Sequence, residues 1–135
     1  MTWPRVDGLR SIEFGSPGAV RTELVGLVLA GAKTATAGLL EHDYAAEDEE
    51  VEHVGERLAV LDDSGARVAT VRVTEVRVVP FAAVDDAFAR DEGEGYEGHE
   101  DWARSHERFW AAHAGVAVRA DTPVVCLRFV LETGA

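Results

Sequence analysis

The stretch Gly31-Ala32-Lys33-Thr34-Ala35-Thr36-Ala37 lies where a helical pattern of apolar residues stops and an extended pattern begins. Before it, apolar residues recur at spacings of three and four, at Val20, Leu24, Leu27 and Val28. This spacing predicts a helix that buries one stripe and ends near Ala30, and the glycine that follows suits the left-handed residue just past a helix end. We therefore expect Lys33 in a sharp turn, beside two threonine hydroxyls, at the mouth of the fold.

Downstream of this turn, alternating and β-branched residues predict strands. The predicted strands cover residues 34–40, 57–61, 68–79 and 124–131. The alternation slips near Glu75, which indicates a bulge in the third of these strands. Residues 41–53, between the first two strands, carry seven carboxylates with almost no apolar spacing. That composition is typical of a mobile acidic loop.

Two further segments have the spacing of helices. A short helix is predicted around residues 81–88, and a longer one begins at His99 and ends before Gly115. In the longer helix the apolar and aromatic positions fall within roughly a third of the helical circle. They are Trp102, Ala103, His106, Phe109, Trp110 and His113. Together with the strands, these helices predict an α+β fold in which mostly antiparallel strands curl into a small barrel and helices pack at its mouth.

Size and charge narrow the function classes. The chain of 135 residues is the length of one domain, residues 1–135, and its formal net charge is −12. Such a surface repels a long polyphosphate, so any contact with RNA must be local. Cys126 is the only cysteine, and the first twenty residues contain no long apolar run. We therefore expect a cytoplasmic protein without a disulfide, a signal peptide or a membrane segment.

A metal or a cofactor is not expected. His99, His106 and His113 are seven residues apart, or about 10 Å along a helix axis, which is too far for one ion. The segment Gly93-Glu94-Gly95 is acidic where a phosphate would need open backbone amides. The histidines are better explained as side chains that pack at the border of an apolar face.

Lys33, Thr36 and Glu94 form the candidate catalytic set. A threonine hydroxyl becomes a useful nucleophile when a base or a nearby cation helps to remove its proton, and a desolvated lysine can do so. A carboxylate can orient the lysine or activate water. The alternative interpretation is that Lys33 pairs with a surface carboxylate and that Thr36 is an ordinary strand residue.

Several separated motifs resemble the ASCH family, whose fold is a relative of the PUA RNA-binding barrel. These motifs run through almost the whole chain: Phe14-Gly15, the stretch 29–36, Val54-Gly55-Glu56, Thr74-Glu75-Val76, Pro80-Phe81, Glu92-Gly93-Glu94-Gly95 with Trp102 and His106, and Pro123-Val124-Val125-Cys126 with Arg128-Phe129. The chain is similar to a larger bacterial branch of that family. The resemblance implies a PUA-like fold and a ligand that is RNA or derived from RNA.

The resemblance also implies residue roles. Some members are ribonucleases, and a compact branch hydrolyses the acetyl amide of N4-acetylcytidine with a lysine, a threonine and a glutamate that match Lys33, Thr36 and Glu94. We therefore expect a hydrolase, either an amidohydrolase or a ribonuclease. In the amide reaction the threonine would attack the carbonyl, the lysine would shuttle the proton, and the glutamate would orient the lysine and later the water. With a phosphodiester, the lysine would stabilise negative charge on the phosphoryl oxygens and the ribose 2′-hydroxyl would be the nucleophile. Candidate substrate-binding residues are Thr34, Glu92, Tyr96, Trp102, His106 and Arg128.

A non-catalytic module is the alternative to a hydrolase. In that case the cleft would recognise an RNA end or a nucleoside, with Tyr96, Trp102 or His106 stacked on a base. Lys33 would then contact a phosphate or a base carbonyl. A fold that binds another small metabolite is a third hypothesis, and the sequence leaves the oligomeric state open.

Overall fold

The computed structural model describes residues 2–132, which form one mixed sheet packed with three α-helices. The strands are β1 (Arg5–Val6), β2 (Leu9–Ile12), β3 (Ala35–Leu39), β4 (Arg57–Leu61), β5 (Arg67–Pro80) and β6 (Pro123–Leu131). The α-helices are α1 (Ala19–Leu29), α2 (Asp86–Asp91) and α3 (His99–His113). The predicted α+β class is therefore confirmed.

The six strands lie in the order β1-β2-β4-β5-β6-β3. Only β2 and β4 run parallel, and the other neighbouring strands are antiparallel. Within residues 2–132, β1 and β3 are the two edges and do not pair, so the sheet is not closed into the predicted barrel. Side chains bind the outward backbone groups at the two ends of β3. Lys33 donates to the carbonyl of Ala35, and Asp43 accepts from the N–H of Leu39.

The core is divided between the two faces of the sheet, because successive side chains of a strand point to opposite faces. On one face, α2 and α3 pack over β3 and β6 around Phe88, Trp102 and Trp110. On the other face, α1 packs over β4 and β5 around Phe14 and Val28. A third, smaller cluster surrounds Tyr44, Val125 and Leu127. The lysine turn joins α1 to β3 and lies between Phe14 of the α1 cluster and Trp110 of the α3 cluster.

The local features predicted around the opening stretch are confirmed. Helix α1 ends at Leu29, and Gly31 has a left-handed φ of 77°. The N–H groups of Ala32 and Lys33 both donate to the carbonyl of Leu27, which closes the turn after the helix. The bulge in β5 lies between Val73 and Glu75, at the predicted place.

The acidic segment 41–53 differs from the irregular chain that its composition indicates. Leu40–Tyr44 form a π-helical turn and Ala45–Glu47 a 3-10 turn. Glu49 and Glu52 are buried, at 8% and 5% exposure. The partners of Glu49 lie elsewhere in the chain, since it accepts hydrogen bonds from Arg5 at 2.9 Å and Arg10 at 3.3 Å. Glu52 accepts from the hydroxyl of Tyr44 at 2.8 Å, within the segment. Composition alone does not reveal that Glu49 pairs with residues 44 and 39 positions away. The mobility of the segment stays a prediction.

None of the helices within residues 2–132 is both long and apolar enough to cross a membrane.

Candidate functional site

The side chain of Lys33 is directed into the protein rather than into solvent, with only 1% of it exposed. Its Nζ donates to the carbonyl of Ala35 at 2.8 Å and to Oε2 of Glu94 at 2.7 Å. Two longer contacts join it to Oε1 of Glu92 at 3.2 Å and to the Glu92 carbonyl at 3.3 Å. An ammonium has three protons, and here it faces four acceptors. Lys33 is therefore held as a hydrogen-bond donor in a fixed position.

Gly93 explains how two carboxylates come so close to one lysine. It has a left-handed φ of 71°, and a Cβ at this position would clash with the backbone of Ala32 and lie 2.8 Å from Cα of Lys33. Only glycine combines this backbone conformation with so close an approach of two chain segments. The turn that carries Glu92 and Glu94 therefore rests directly on the lysine turn.

Glu92 is the buried centre of this arrangement, with 1% exposure. Its Oε2 accepts from the indole N–H of Trp102 and lies 3.3 Å from Nε2 of His106. Burial by itself would raise the pKa of Glu92, but the charge of Lys33 and the contacts from His106 and Trp102 outweigh it and hold the pKa below its usual range. Glu92 is therefore an ionised counterion, placed to orient Lys33 and His106.

A cavity of about 210 Å³ opens over this cluster. Its walls bring together the three candidate catalytic residues and three of the candidate binding residues: Lys33, Thr36, Glu94, Glu92, Tyr96 and His106. Glu94 is the most open of the charged groups, with 20% of its side chain exposed. The hydroxyl of Thr36 makes no hydrogen bond to Lys33, to Glu94 or to any other group within residues 2–132.

A second, larger cavity adjoins the first. Its volume is about 610 Å³, and the two cavities share walls at Gly15, Thr36, Ala37, Phe109 and Trp110. Thr36 therefore lies between a small compartment that contains Lys33 and Glu94 and a wider groove. Among the residues that the structure describes, no lysine or arginine lines the wider groove, whereas four carboxylates do: Glu13, Asp43, Glu47 and Glu52.

Three predicted binding residues do not line either cavity. Trp102 is completely buried and stacks against His106 with ring centroids 4.3 Å apart, so a ligand in the cavity cannot touch it. Thr34 donates its hydroxyl to the carbonyl of Asp91 at 3.2 Å. Arg128 pairs with the carboxylate of Asp91 and lies over the ring of Phe88. In this structure these side chains support the turn that carries Glu92 and Glu94.

Tyr96 and His106 form the aromatic wall of the small cavity. The Tyr96 hydroxyl is 2.8 Å from the hydroxyl of Ser105, and burial raises the pKa of Tyr96 to about 12. Nδ1 of His106 is 2.9 Å from the carbonyl of Trp102, and 12% of the His106 side chain is exposed. Both rings are therefore fixed by hydrogen bonds within α3 or to it.

The sequence analysis did not assign Phe14, Ser105 and Phe109 to the cavity, although all three line it. Ser105 lies three residues after Trp102 on α3, at the polar border of the predicted apolar arc. Helical periodicity could therefore have indicated that it faces the cavity. Phe14 belongs to the other core cluster and gives no such signal. Its ring centroid lies 5.7 Å from Nζ of Lys33, a contact that only the tertiary structure creates.

The chemistry that this arrangement offers is proton transfer next to a fixed positive charge. Glu94 can accept a proton, the Thr36 hydroxyl is available as a nucleophile, and the ammonium of Lys33 can stabilise negative charge that develops between them. Within residues 2–132, no group of three histidine, cysteine or acidic side chains is arranged to hold a metal ion.

Comparisons with known proteins show the family and fold of the chain. The ASCH domain family matches residues 10–133 of the chain. A crystal structure of a protein from Enterococcus faecalis V583, described as DUF984, is similar with a TM-score of 0.76 and 29% identity, covering 89% of this chain and 74% of that one. The structure of an ASCH domain from Lactobacillus crispatus JV V101 is similar with a TM-score of 0.76 and 25% identity, covering 91% of this chain and 80% of that one. Curated proteins gave no significant match.

Proposed function

The chain belongs to the ASCH domain family, and we propose that it is a hydrolase that cleaves the acyl amide of a modified pyrimidine nucleoside. ASCH domains are generally RNA-binding domains of PUA-like fold, so RNA and nucleosides derived from it are the candidate ligands. The observation that carries the proposal is the hydrogen bond of 2.7 Å between Lys33 and Glu94 in a cavity that Thr36 also lines.

The charge of the cavities favours an amide over a phosphodiester. Among residues 2–132, Lys33 is the only lysine or arginine that lines either cavity, and it already contacts both Glu92 and Glu94. A phosphate in the small cavity would therefore meet two carboxylates and one cation that they have already neutralised. An amide carbonyl is uncharged in the ground state and becomes negative only in the transition state, where a fixed ammonium is most useful.

The proposed reaction has two steps. In the first, the hydroxyl oxygen of Thr36 bonds to the acyl carbon, its proton passes to Glu94, and Glu94 returns that proton to the leaving amide nitrogen as the C–N bond breaks. In the second, water attacks the resulting threonine ester, Glu94 takes a proton from the water and passes it to the departing Thr36 oxygen, and the acid is released. Lys33 holds Glu94 in position and stabilises the oxyanion in both steps.

This scheme assigns Lys33 a different role from the proton shuttle that the family resemblance implies. Its Nζ lies within hydrogen-bond distance of four acceptors, two of them within 2.8 Å, so it is held as a hydrogen-bond donor and not as a proton acceptor. Glu94 has the more accessible oxygen and is the better proton acceptor. The lack of a hydrogen bond to Thr36 in the free protein does not exclude it as the nucleophile, because such contacts often tighten only when substrate binds.

The test is incubation of the pure protein with N4-acetylcytidine, with release of cytidine and acetate as the measurement. We expect Thr36→Val, which keeps the shape and removes the hydroxyl, and Glu94→Gln each to lower kcat/KM by about 10²-fold or more. Thr34→Val is the matched control, since that hydroxyl bonds the carbonyl of Asp91 outside the cavities. It should change kcat/KM by less than about threefold. Absence of turnover, or an active Thr36→Val, would refute the proposal.

A binding module is the second candidate function, and the aromatic wall formed by Tyr96 and His106 favours it. These rings can hold a base without any reaction. In that case a nucleoside binds without turnover, and affinity for a short RNA falls with salt by the slope of only one or two phosphates. Failure of nucleosides and RNA alike to bind at low salt would exclude this candidate.

A further inference from the structure

The outer edge of β3 passes between the two cavities. The N–H of Phe129 in β6 donates to the carbonyl of Thr34 at 3.0 Å, just before β3 begins. In an antiparallel pair, every second residue exchanges both backbone hydrogen bonds with the residue opposite. Thr36 is opposite Leu127 in the same register, so Thr34 and Thr36 bond to β6. The residues between them, Ala35 and Ala37, turn their N–H and C=O groups away from β6.

The structure confirms this orientation at both ends of the strand. The carbonyl of Ala35 accepts from Nζ of Lys33 at 2.8 Å, and the N–H of Leu39 donates to Oδ2 of Asp43 at 2.7 Å. Neither partner belongs to β6. Ala37 lies midway between these two side-chain contacts, and within residues 2–132 no third strand pairs with it from the outer side. It is half-buried and lines both cavities.

In an extended residue the N–H and the C=O point to the same side of the chain, so together they present a donor beside an acceptor. We propose that these two groups of Ala37 form a two-point binding site for the edge of a cytosine ring, with N3 accepting from the N–H and the exocyclic N4–H donating to the carbonyl. The inference rests on the proposed function, and it identifies what holds the base beside Thr36.

The surroundings of Ala37 suit an uncharged aromatic ligand of this kind. Phe109 of α3 lines both cavities together with Ala37, and His106 and Tyr96 line the smaller one, so flat rings are available to stack on a base. The carboxylates of the walls disfavour an anion. A base whose N3 faces the Ala37 N–H lies next to Thr36, the preceding residue in the chain.

The experiment compares the binding of cytidine with that of 3-deazacytidine, in which a C–H replaces N3. Cytidine is the expected product, so binding is measured without any turnover. A single neutral hydrogen bond contributes about 1 kcal/mol, which corresponds to about fivefold in affinity. We expect cytidine to bind about fivefold more tightly, and the amide signal of Ala37 to shift in a proton–nitrogen NMR spectrum with cytidine but much less with the deaza analogue.

Ala37→Pro removes the N–H without removing a bond to β6, and proline is tolerated on edge strands where the N–H faces outward. The proline variant should bind cytidine about fivefold more weakly than the wild type, as weakly as the wild type binds 3-deazacytidine. Ala37→Ser, which keeps the N–H, should bind cytidine like the wild type. If the proline variant does not fold, an ester in place of the Ala37 amide, introduced by nonsense suppression, removes the N–H and weakens only the Thr36 carbonyl as an acceptor for β6. This ester variant is then compared with the wild type for cytidine affinity.

The outcomes separate this inference from the proposed function. Equal affinity for the two nucleosides, or no cytidine binding by the wild type at millimolar concentration, overturns the inference even if N4-acetylcytidine is hydrolysed. Cytidine binding that depends on N3 and on the Ala37 amide supports it, even if no acyl amide is cleaved and the hydrolase proposal fails.

Discussion

Two clusters of ion pairs in this protein are built alike and differ in what surrounds them. The site cluster consists of Lys33, Glu92 and Glu94, and the clamp cluster of Arg5, Arg10, Glu49 and Glu56. Each joins chain segments at least 39 residues apart through a carboxylate that is 2% exposed. The difference is in the balance of charge and in access to a cavity.

In the clamp cluster two guanidinium groups face two carboxylates. Arg10 binds both oxygens of Glu56, at 2.8 and 2.7 Å, and Arg5 binds both oxygens of Glu49. Such paired, planar contacts fix geometry and leave little unbalanced charge. In the site cluster, by contrast, one ammonium faces two carboxylates, and one of these, Glu94, opens into a cavity. Burial and ion pairing are common to both clusters, so the proposed site rests instead on the unequal charge beside a cavity.

The largest effect is expected for Lys33→Met. Removing the ammonium leaves the carboxylate of Glu92 buried without its cation, which should lower the free energy of unfolding by about 3 kcal/mol. Activity towards N4-acetylcytidine should fall by about 10²- to 10³-fold, because the charge that stabilises the oxyanion is lost. Urea denaturation and steady-state kinetics measure the two effects.

A double variant separates the two effects of this substitution. Adding Glu92→Gln to Lys33→Met removes the uncompensated charge, so stability should recover by at least about 1 kcal/mol while activity stays low. Recovery of activity together with stability would mean that Lys33 acts only through the fold, like the residues of the clamp cluster.

An intermediate effect is expected for Arg10→Met, which breaks the clamp cluster. Arg10 is bonded to Glu56 and to the carbonyl of Glu50, and its partial exposure to solvent weakens these contacts. The free energy of unfolding should fall by about 1–2 kcal/mol. At a temperature where the variant is folded, kcat/KM should stay within about twofold of the wild type. A loss of activity as large as that of Lys33→Met would show that the two clusters do not differ as proposed.

The smallest effect concerns the pH dependence of stability through Glu49. Hydrogen bonds from Arg5, and then from the Trp3 N–H and Arg10, lower the pKa of Glu49 from 4.5 to about 2. A carboxyl whose pKa is depressed by folding stabilises the protein above its unfolded pKa, and this contribution disappears as the pH falls. Between pH 4.5 and 2 the wild type should therefore lose stability more steeply than Glu49→Gln.

Urea denaturation at several pH values in this window measures both slopes. The other carboxylates titrate in both proteins, so the difference between the curves isolates Glu49. Parallel curves would show that the clamp cluster does not perturb this carboxyl group.

Much of the local structure follows from the sequence. The helix that ends before Gly31, the bulge near Glu75 and the apolar face of α3 all depend on backbone preference and periodicity within a few residues. The membership in the ASCH family also follows from motif order. Each of these features is local or a sum of local signals, which is why a single sequence predicts it.

The sequence did not predict which candidate residues line the cavity and which ones support it from behind. Trp102 and His106 lie on one predicted arc, yet only His106 borders the cavity, because Trp102 packs beneath it. Periodicity separates a buried face from an exposed one. It does not tell which buried side chain lines a cavity and which one supports it from behind. Thr34 and Arg128 likewise contact Asp91 behind the cavity, whereas Thr36 lines it, and periodicity does not separate these positions.

The sequence by itself determined that Lys33 lies in a turn after a helix, close to two threonines, and that Glu94 lies in a glycine-rich turn. Only the tertiary structure decided that these turns meet. The decisive contact is the close approach of Gly93 to the backbone of Ala32, sixty-one residues earlier, which places two carboxylates on one ammonium. Local preferences set each turn, whereas the packing of α1, α2 and α3 on the two faces of one sheet sets the distance between them.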